Sequence, residues 1–145
     1  MTSEPVILRV TIPGEPVAKG RPRFTKTGRA FTPAKTMRAE DHIRQCMFSQ
    51  VGQPVLEGPL DVEAICTFPI PQSWSKRKQG DALAGVVRPT GRPDLENVVK
   101  ALLDAGNGII WRDDSQVCGL RASKIYGAKL GVLLTVSRPK GERGP

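Results

Sequence analysis

Apolar residues recur along this chain with two different periods, and these periods predict its secondary structure. Strands are predicted where apolar and polar residues alternate, over residues 5–12, 60–68, 116–126 and 130–136. Helices are predicted where apolar residues recur every three to four positions, over residues 32–51 and again after Asp94. A short helix is predicted over residues 73–79, and a hairpin turn over residues 126–129. The pattern therefore predicts an α/β (α+β) domain with a mixed β-sheet packed by helices.

The helix that follows Pro93 has the most specific pattern. Pro93 disfavours helix at the residue before it, and Asp94 is a good N-cap, so the helix is predicted to begin there. Gly106 and the two residues after it supply the stop. Residues 109–111 are predicted to return the chain to the core. One face of this helix is apolar and consists of Leu95, Val98, Val99 and Leu102.

Carboxylates gather around this helix although the chain is basic. Five of the fourteen acidic residues lie between residues 91 and 117, in a chain of formal net charge +8. Each has a structural interpretation, as a helix cap, as an i, i+4 partner of Lys100, or as a turn residue. Together, oxygen ligands from a helix start and a following turn are what Mg²⁺ takes, with water and substrate phosphate completing its shell. Lys100, one turn beyond Glu96, is predicted to face the same site and to stabilise charge on phosphate.

Cations are concentrated elsewhere in the chain. Residues 18–38 contain seven basic residues and no acidic one. Such a run is usually a solvated face, but beside a carboxylate site it favours contacts with a nucleic-acid backbone. The predicted phosphate contacts from these and later segments are Lys19, Arg21, Arg23, Lys76, Arg77, Lys78 and Arg92.

Other function classes find little support in the composition. The three cysteines are widely spaced without a C-x-x-C motif, which favours free thiols in a reducing cytosol over a zinc site. A single histidine argues against a Ser-His-Asp triad. The chain has neither a signal-peptide pattern nor an apolar run of about 18 residues, so we expect a cytoplasmic protein with no membrane partner.

Two segments carry a family resemblance. Arg-Pro-Asp-Leu-Glu-Asn-Val-Val-Lys-Ala-Leu-Leu-Asp-Ala and Asn-Gly-Ile-Ile-Trp-Arg-Asp-Asp-Ser-Gln-Val resemble the signature of RusA-type Holliday junction resolvases, small endodeoxyribonucleases of phages and prophages. The resemblance extends to Lys-Gly-Arg-Pro-Arg-Phe at residues 19–24. It implies one RusA-like nuclease domain over residues 1–137, and the polar, basic composition of residues 138–145 predicts a C-terminal tail. It also implies a homodimer that binds four-way DNA junctions and nicks two opposing strands with Mg²⁺ or Mn²⁺.

The resemblance also assigns roles to residues. Asp94 and Glu96 match the two acids of the helix start, Lys100 the catalytic lysine, and Asp114 the third carboxylate. Glu96 departs from the aspartate that is usual in the family, and its side chain is one methylene longer. Lys124 matches a position that tends to be basic, which favours a phosphate contact over a solvent-facing role. We therefore expect the three carboxylates to converge on one metal ion.

Two alternatives differ in class. The chain could be a non-catalytic, basic nucleic-acid-binding protein whose acidic residues are structural. It could also be a metal-dependent nuclease that acts on other branched DNA or on RNA. Metal-dependent cleavage would separate the two nuclease hypotheses from a non-catalytic binding protein. The substrate that is cleaved would separate a junction resolvase from a nuclease for other branched DNA or RNA.

Overall fold

The computed structural model describes residues 5–18, 23–24, 26–31 and 34–141, and confirms an α+β fold. The strands are β1 (Val6–Pro13), β2 (Arg23–Phe24), β3 (Ala30–Phe31), β4 (Leu60–Phe68), β5 (Val117–Tyr126) and β6 (Gly131–Ser137). The helices are α1 (Ala34–Val51), α2 (Lys76–Leu83) and α3 (Leu95–Gly106), and a 3₁₀ turn spans Asp114–Gln116. The short helix begins later than predicted because Ser75 is its N-cap, with a side chain that accepts a hydrogen bond from the Lys78 amide.

Four strands form one mixed sheet in the order β1-β6-β4-β5. Strand β6 is antiparallel to both β1 and β4, whereas β4 and β5 are parallel. The mixed sheet is confirmed, but the predicted hairpin between β5 and β6 is wrong, because β4 lies between these strands. The connection instead crosses the end of β4, where the Gly127 amide donates to the Phe68 carbonyl at 3.2 Å.

The core lies between one face of the sheet and helices α1 and α3. Every second residue of β4 is buried, and the apolar face of α3 includes the buried Val98 and Leu102. Trp111 is fully buried in the same cluster, as predicted for residues 109–111. Its Nε1 donates to Asn107 Oδ1 at 3.0 Å and to the Leu103 carbonyl at 3.3 Å. Trp111 thereby closes the segment after α3 onto the helix itself.

The close approach of α3 to this ring depends on Gly106. A Cβ added at Gly106 would lie 2.5 Å from the Cζ2 atom of Trp111, which is closer than real side chains pack. Glycine therefore does more here than stop a helix, since it makes room for the largest buried side chain in the core.

Two other predicted features have simple outcomes. Arg138, the first residue of the predicted tail, is anchored, because its Nη1 donates to the carbonyls of Glu57 at 2.6 Å and Pro59 at 3.1 Å. Residues 142–145 lie outside the described part of the chain. None of the helices within the described residues is long and apolar enough to cross a bilayer.

Candidate active site

The start of α3 presents a carboxylate that the helix does not use. Asp94 is the N-cap, as predicted, but its side chain makes no capping hydrogen bond. The turn is instead closed through the backbone, where the Asn97 amide donates to the Asp94 carbonyl at 3.1 Å. The Asp94 side chain is exposed. A purely structural cap would hold one of its oxygens on a helix amide, so this geometry favours a role for Asp94 outside the helix.

Asp94 opens onto a cleft of ≈ 600 Å³. Arg92, Pro93 and Asn97 line it together with Ala18, which follows β1. Ala18 is the last described residue before the basic segment that contains the predicted phosphate contacts Lys19 and Arg21, which lie outside the described residues. The described part of the cleft thus joins a carboxylate to an arginine.

Glu96 and Lys100 follow on the next turns of α3. Both side chains are exposed, and their four-residue spacing places them on one side of the helix. Glu96 lies in the first turn, where the positive end of the helix dipole favours an anion. Neither side chain is among the described residues that line the Asp94 cleft, so the roles of Glu96 and Lys100 at the site stay predictions.

The structure does not bring Asp114 to Asp94 and Glu96. Asp114 lies beside the other end of α3, where its Oδ2 accepts a hydrogen bond from Asn107 Nδ2 at 3.4 Å. A helix of 12 residues is about 18 Å long, which is beyond the reach of ligands that share one ion. In residues 5–18, 23–24, 26–31 and 34–141 no group of three or more His, Cys, Asp or Glu residues could hold a metal ion. The expected convergence of three carboxylates is not met in the single chain, and the role of Asp114 stays a prediction.

A network that sequence reasoning missed fixes the surroundings of Asp114. Arg44 of α1 donates through Nη1 to the carbonyls of Ala105 at 3.0 Å and Asn107 at 3.1 Å. Its charge complements the negative end of the α3 dipole. Asn107 in turn bonds Trp111 and Asp114 through its side chain. The polar pattern of α1 gave no signal for this contact, because Arg44 and its partners are separated by about sixty residues.

Asp113 has the structural role that its turn position predicts. Its carboxylate accepts from the Ser115 amide at 3.1 Å, and Gln116 completes a reciprocal capping box. The hydrogen bonds from Ser115 lower the pKa of Asp113 below its ordinary value. The Gln116 side chain also donates to the carbonyls of Leu56 and Gly58, so it ties the turn to the preceding connector.

Lys124 is half-buried at the end of β5 and binds the segment before α3. Its Nζ donates to the Gly91 carbonyl at 2.6 Å and to the Pro93 carbonyl at 2.9 Å. The same atom lies 5.2 Å from the centre of the Phe68 ring. The predicted phosphate contact of Lys124 stays untested, but two of its three donors already have protein partners.

The three cations of α2 lie exposed near the same end of β5. Trp74, just before α2, packs edge-on against Tyr126 at 5.3 Å, and Lys78 Nζ lies 3.9 Å from the centre of the Trp74 ring. Trp74 is thus a packing anchor that fixes α2 beside β5. The end of the sheet where the parallel strands β4 and β5 finish therefore lies near both the start of α3 and the three cations of α2, which are Lys76, Arg77 and Lys78. Arg23 belongs to β2, and its side chain lies outside the described residues.

The donors at this end of the sheet fit a hard divalent cation. Mg²⁺ is bound in proteins through one or two carboxylates, with water and phosphate oxygens as its other ligands. Asp94 and Glu96 supply two exposed carboxylates, and Asp94 has no competing bond within α3. The chemistry of these two donors suits Mg²⁺ or Mn²⁺, and the binding of either ion at Asp94 and Glu96 stays a prediction.

The family model described as endodeoxyribonuclease RusA matches residues 13–137. The chain belongs to the RusA endodeoxyribonuclease family. The range matched to RusA runs from the last residue of β1 to the last residue of β6, so it contains all the candidate residues named above. The chain is also 36% identical over 124 residues to the uncharacterized protein YqaN of Bacillus subtilis (strain 168), which covers 82% of this chain and 87% of that protein. The predicted resemblance is confirmed, and membership of RusA supports an endodeoxyribonuclease activity.

Proposed function

We propose that this protein is a Mg²⁺- or Mn²⁺-dependent endodeoxyribonuclease that resolves four-way DNA junctions by paired, symmetric nicks. The RusA family match supports the nuclease class. The observation that carries the proposal is the exposed Asp94 carboxylate, which has no capping bond and opens onto a cleft lined by Arg92. A structural acid would not need this arrangement.

The side chains at the start of α3 divide the chemistry between them. Asp94 and Glu96 hold the ion, which when bound supplies Lewis-acid polarisation of the phosphate and a more acidic water. Arg92 binds a phosphate oxygen at the cleft. Lys100 offsets the charge that develops on the phosphate or on the leaving oxygen. The cations of α2 bind the DNA backbone next to the cleaved phosphate and fix the position of the DNA, since phosphate contacts position DNA without reading its sequence.

A homodimer suits this reaction because a four-way junction has a near two-fold axis. Two copies of the site, related by a protein two-fold axis, would face two strands that are equivalent by symmetry. Paired nicks on opposing strands then follow from the geometry of the assembly. This part of the proposal is supported by the family resemblance.

A substrate comparison tests the proposal. The protein is incubated with an end-labelled four-way junction, a linear duplex of the same sequence and a structured RNA, each with Mg²⁺ or with chelator. We expect paired nicks in the junction only with metal. Binding without cutting under all conditions would favour the non-catalytic alternative. Equal cutting of RNA or of other branched DNA would favour the second alternative.

The variant Lys100→Ala should slow cleavage far more than it weakens binding. Lys100 is exposed on α3, so its removal leaves the core intact. Loss of one preorganised cation at a reacting phosphate costs about 10²- to 10³-fold in rate. Single-turnover cleavage and junction affinity in chelator are measured side by side. Arg9→Ala, an exposed charge on β1 at the opposite edge of the sheet, is the matched control. Equal losses of rate and affinity would contradict a role for Lys100 in the reaction.

Junction binding should weaken steeply with salt. If the basic segments contact six or more phosphates, affinity falls by about 10³-fold or more between about 50 and 200 mM salt. Removing one exposed cation of α2 with Lys76→Ala should reduce the slope of log affinity against log salt by about 1. Arg9→Ala should leave the slope unchanged. A flat salt dependence in the native protein would show that the cations of α2 do not meet the backbone.

A further inference from the structure

We propose that Lys124 is a positioning residue for Asp94, which it holds in place through the backbone of the segment that leads into α3. The inference rests on the proposed role of Asp94 as a ligand. It assigns to Lys124 a task different from the phosphate contact that its sequence position favours.

The contacts of Lys124 are directed at two carbonyl groups that flank Arg92. Its Nζ donates to Gly91 at 2.6 Å and to Pro93 at 2.9 Å, across more than thirty positions of sequence. Both bonds are charge-assisted, which makes them stronger than bonds between neutral groups. The Pro93 carbonyl belongs to the peptide unit that ends at the Asp94 nitrogen. Lys124 therefore fixes the backbone immediately before the candidate ligand.

The surroundings of Lys124 keep its ammonium group committed to these carbonyls. Strand pairing places it opposite Cys66 on the face of the sheet that packs against α3. Burial raises the pKa of the Cys66 thiol to about 11, although the charge of Lys124 opposes this shift. The thiol is thus neutral at ordinary pH and offers no counter-charge. Phe68 contributes its ring at 5.2 Å, and the two carbonyl oxygens are the remaining partners of Nζ that the described residues provide.

Because the Asp94 side chain makes no capping hydrogen bond, the backbone at the start of α3 needs another restraint. A helix usually fixes its entry through a side-chain bond from its N-cap, and α3 has none. Lys124 supplies that restraint from the sheet, so both carboxylate oxygens of Asp94 stay available. Separating the restraint from the ligand lets one residue hold the turn while the other binds.

The test compares Lys124→Met with the native protein in four measurements. We expect single-turnover junction cleavage to fall by about 10²-fold, since a small displacement of a reacting group has costs of this size. Mn²⁺ titrated into the protein without DNA should bind more weakly. Amide hydrogen exchange should quicken in residues 91–98 while the core strands keep their protection. Junction affinity in chelator should change by less than about twofold, because the side chains that contact the DNA phosphates directly are retained.

Two further variants make the outcome specific. Arg121→Met removes an exposed charge from the same strand. Arg121 is opposite Glu63 on the face of the sheet that points away from the core, so this variant should leave all four measurements unchanged. Lys124→Arg keeps the charge and the donors, and should recover part of both Mn²⁺ binding and cleavage. A loss of junction affinity with a salt slope reduced by about 1 would overturn the proposal in favour of a phosphate contact. Faster exchange throughout the sheet in both Lys124 variants would overturn it in favour of a general structural role.

The cleavage and exchange measurements separate the positioning role of Lys124 from the proposed nuclease function of the protein. If the native protein cuts no junction, the function proposed above is wrong, yet exchange at residues 91–98 still reports whether Lys124 holds the entry to α3. If the native protein cuts junctions and Lys124→Met does so at the native rate, the function stands and the positioning role is wrong.

Discussion

Replacing Asp94 by asparagine should abolish junction cleavage and leave junction binding close to native. Asparagine is as good an N-cap as aspartate, so the start of α3 should be preserved. The substitution removes only the charge that would hold the ion. Metal polarisation of a phosphate contributes several kcal/mol to transition-state stability, and about 4 kcal/mol corresponds to about 10³-fold in rate. Single-turnover cleavage of a labelled junction in Mg²⁺, beside affinity in chelator, measures both effects.

Asp41→Asn is the matched control for this experiment. Asp41 is an exposed carboxylate on α1, outside the cleft at the start of α3. The Asp41→Asn variant should therefore cleave the junction at the native rate. Cleavage retained by Asp94→Asn would remove the basis of the proposed ligand pair. Loss of cleavage and binding together would instead assign Asp94 to DNA binding or to folding.

Trp111→Ala should cost about 3–5 kcal/mol in the free energy of unfolding. This ring is fully buried, packs directly on Gly106, and bonds the side chain of Asn107 through its indole nitrogen. The truncation leaves a cavity beside α3 and an Asn107 oxygen without its donor. A domain of this size has about 5–15 kcal/mol in total, so the variant should be only marginally folded. Urea denaturation measures the loss of unfolding free energy, as a lower midpoint at an unchanged dependence of that free energy on urea concentration.

Trp74→Ala provides the comparison for the buried ring. Trp74 is half-buried and packs on Tyr126 at the surface of the fold. Its removal should cost clearly less than the removal of Trp111, whereas Trp111→Phe should lie between the native protein and Trp111→Ala. Equal losses for the two tryptophans would contradict the central position given to Trp111.

Local patterns predicted much of the fold and the position of one candidate residue. Alternation along β4 marks its buried face because successive side chains of a strand point to opposite sides. Pro93 and Asp94 predict the start of α3 because their constraints act within a few residues. Features of this kind depend on neighbours in sequence, and the chain states them directly.

Partnerships across the fold could not be predicted in the same way. The hairpin prediction was wrong because the turn residues 126–129 carry no information about β4. This strand lies between β5 and β6, the two strands that the turn connects. Nothing in the sequence around Arg44 or Lys124 indicates a partner within the protein, yet each side chain donates to two carbonyl groups in a distant segment. By contrast, the separation of Asp114 from Asp94 follows from the length of α3, and the sequence does predict both ends of this helix, at Asp94 and Gly106.

Because the last strand, β6, lies inside the sheet, the fold depends on residues 131–137 near the end of the chain. Strand β6 is hydrogen-bonded to β1 on one side and to β4 on the other, so without it the sheet divides into two pieces. A growing polypeptide must leave both flanking edges open until that strand arrives. Such edges invite pairing with other chains. Long-range pairing of this kind also slows folding, because distant segments must meet before any contact is gained. Shortened versions that stop before residue 131 should therefore aggregate instead of forming a smaller working unit.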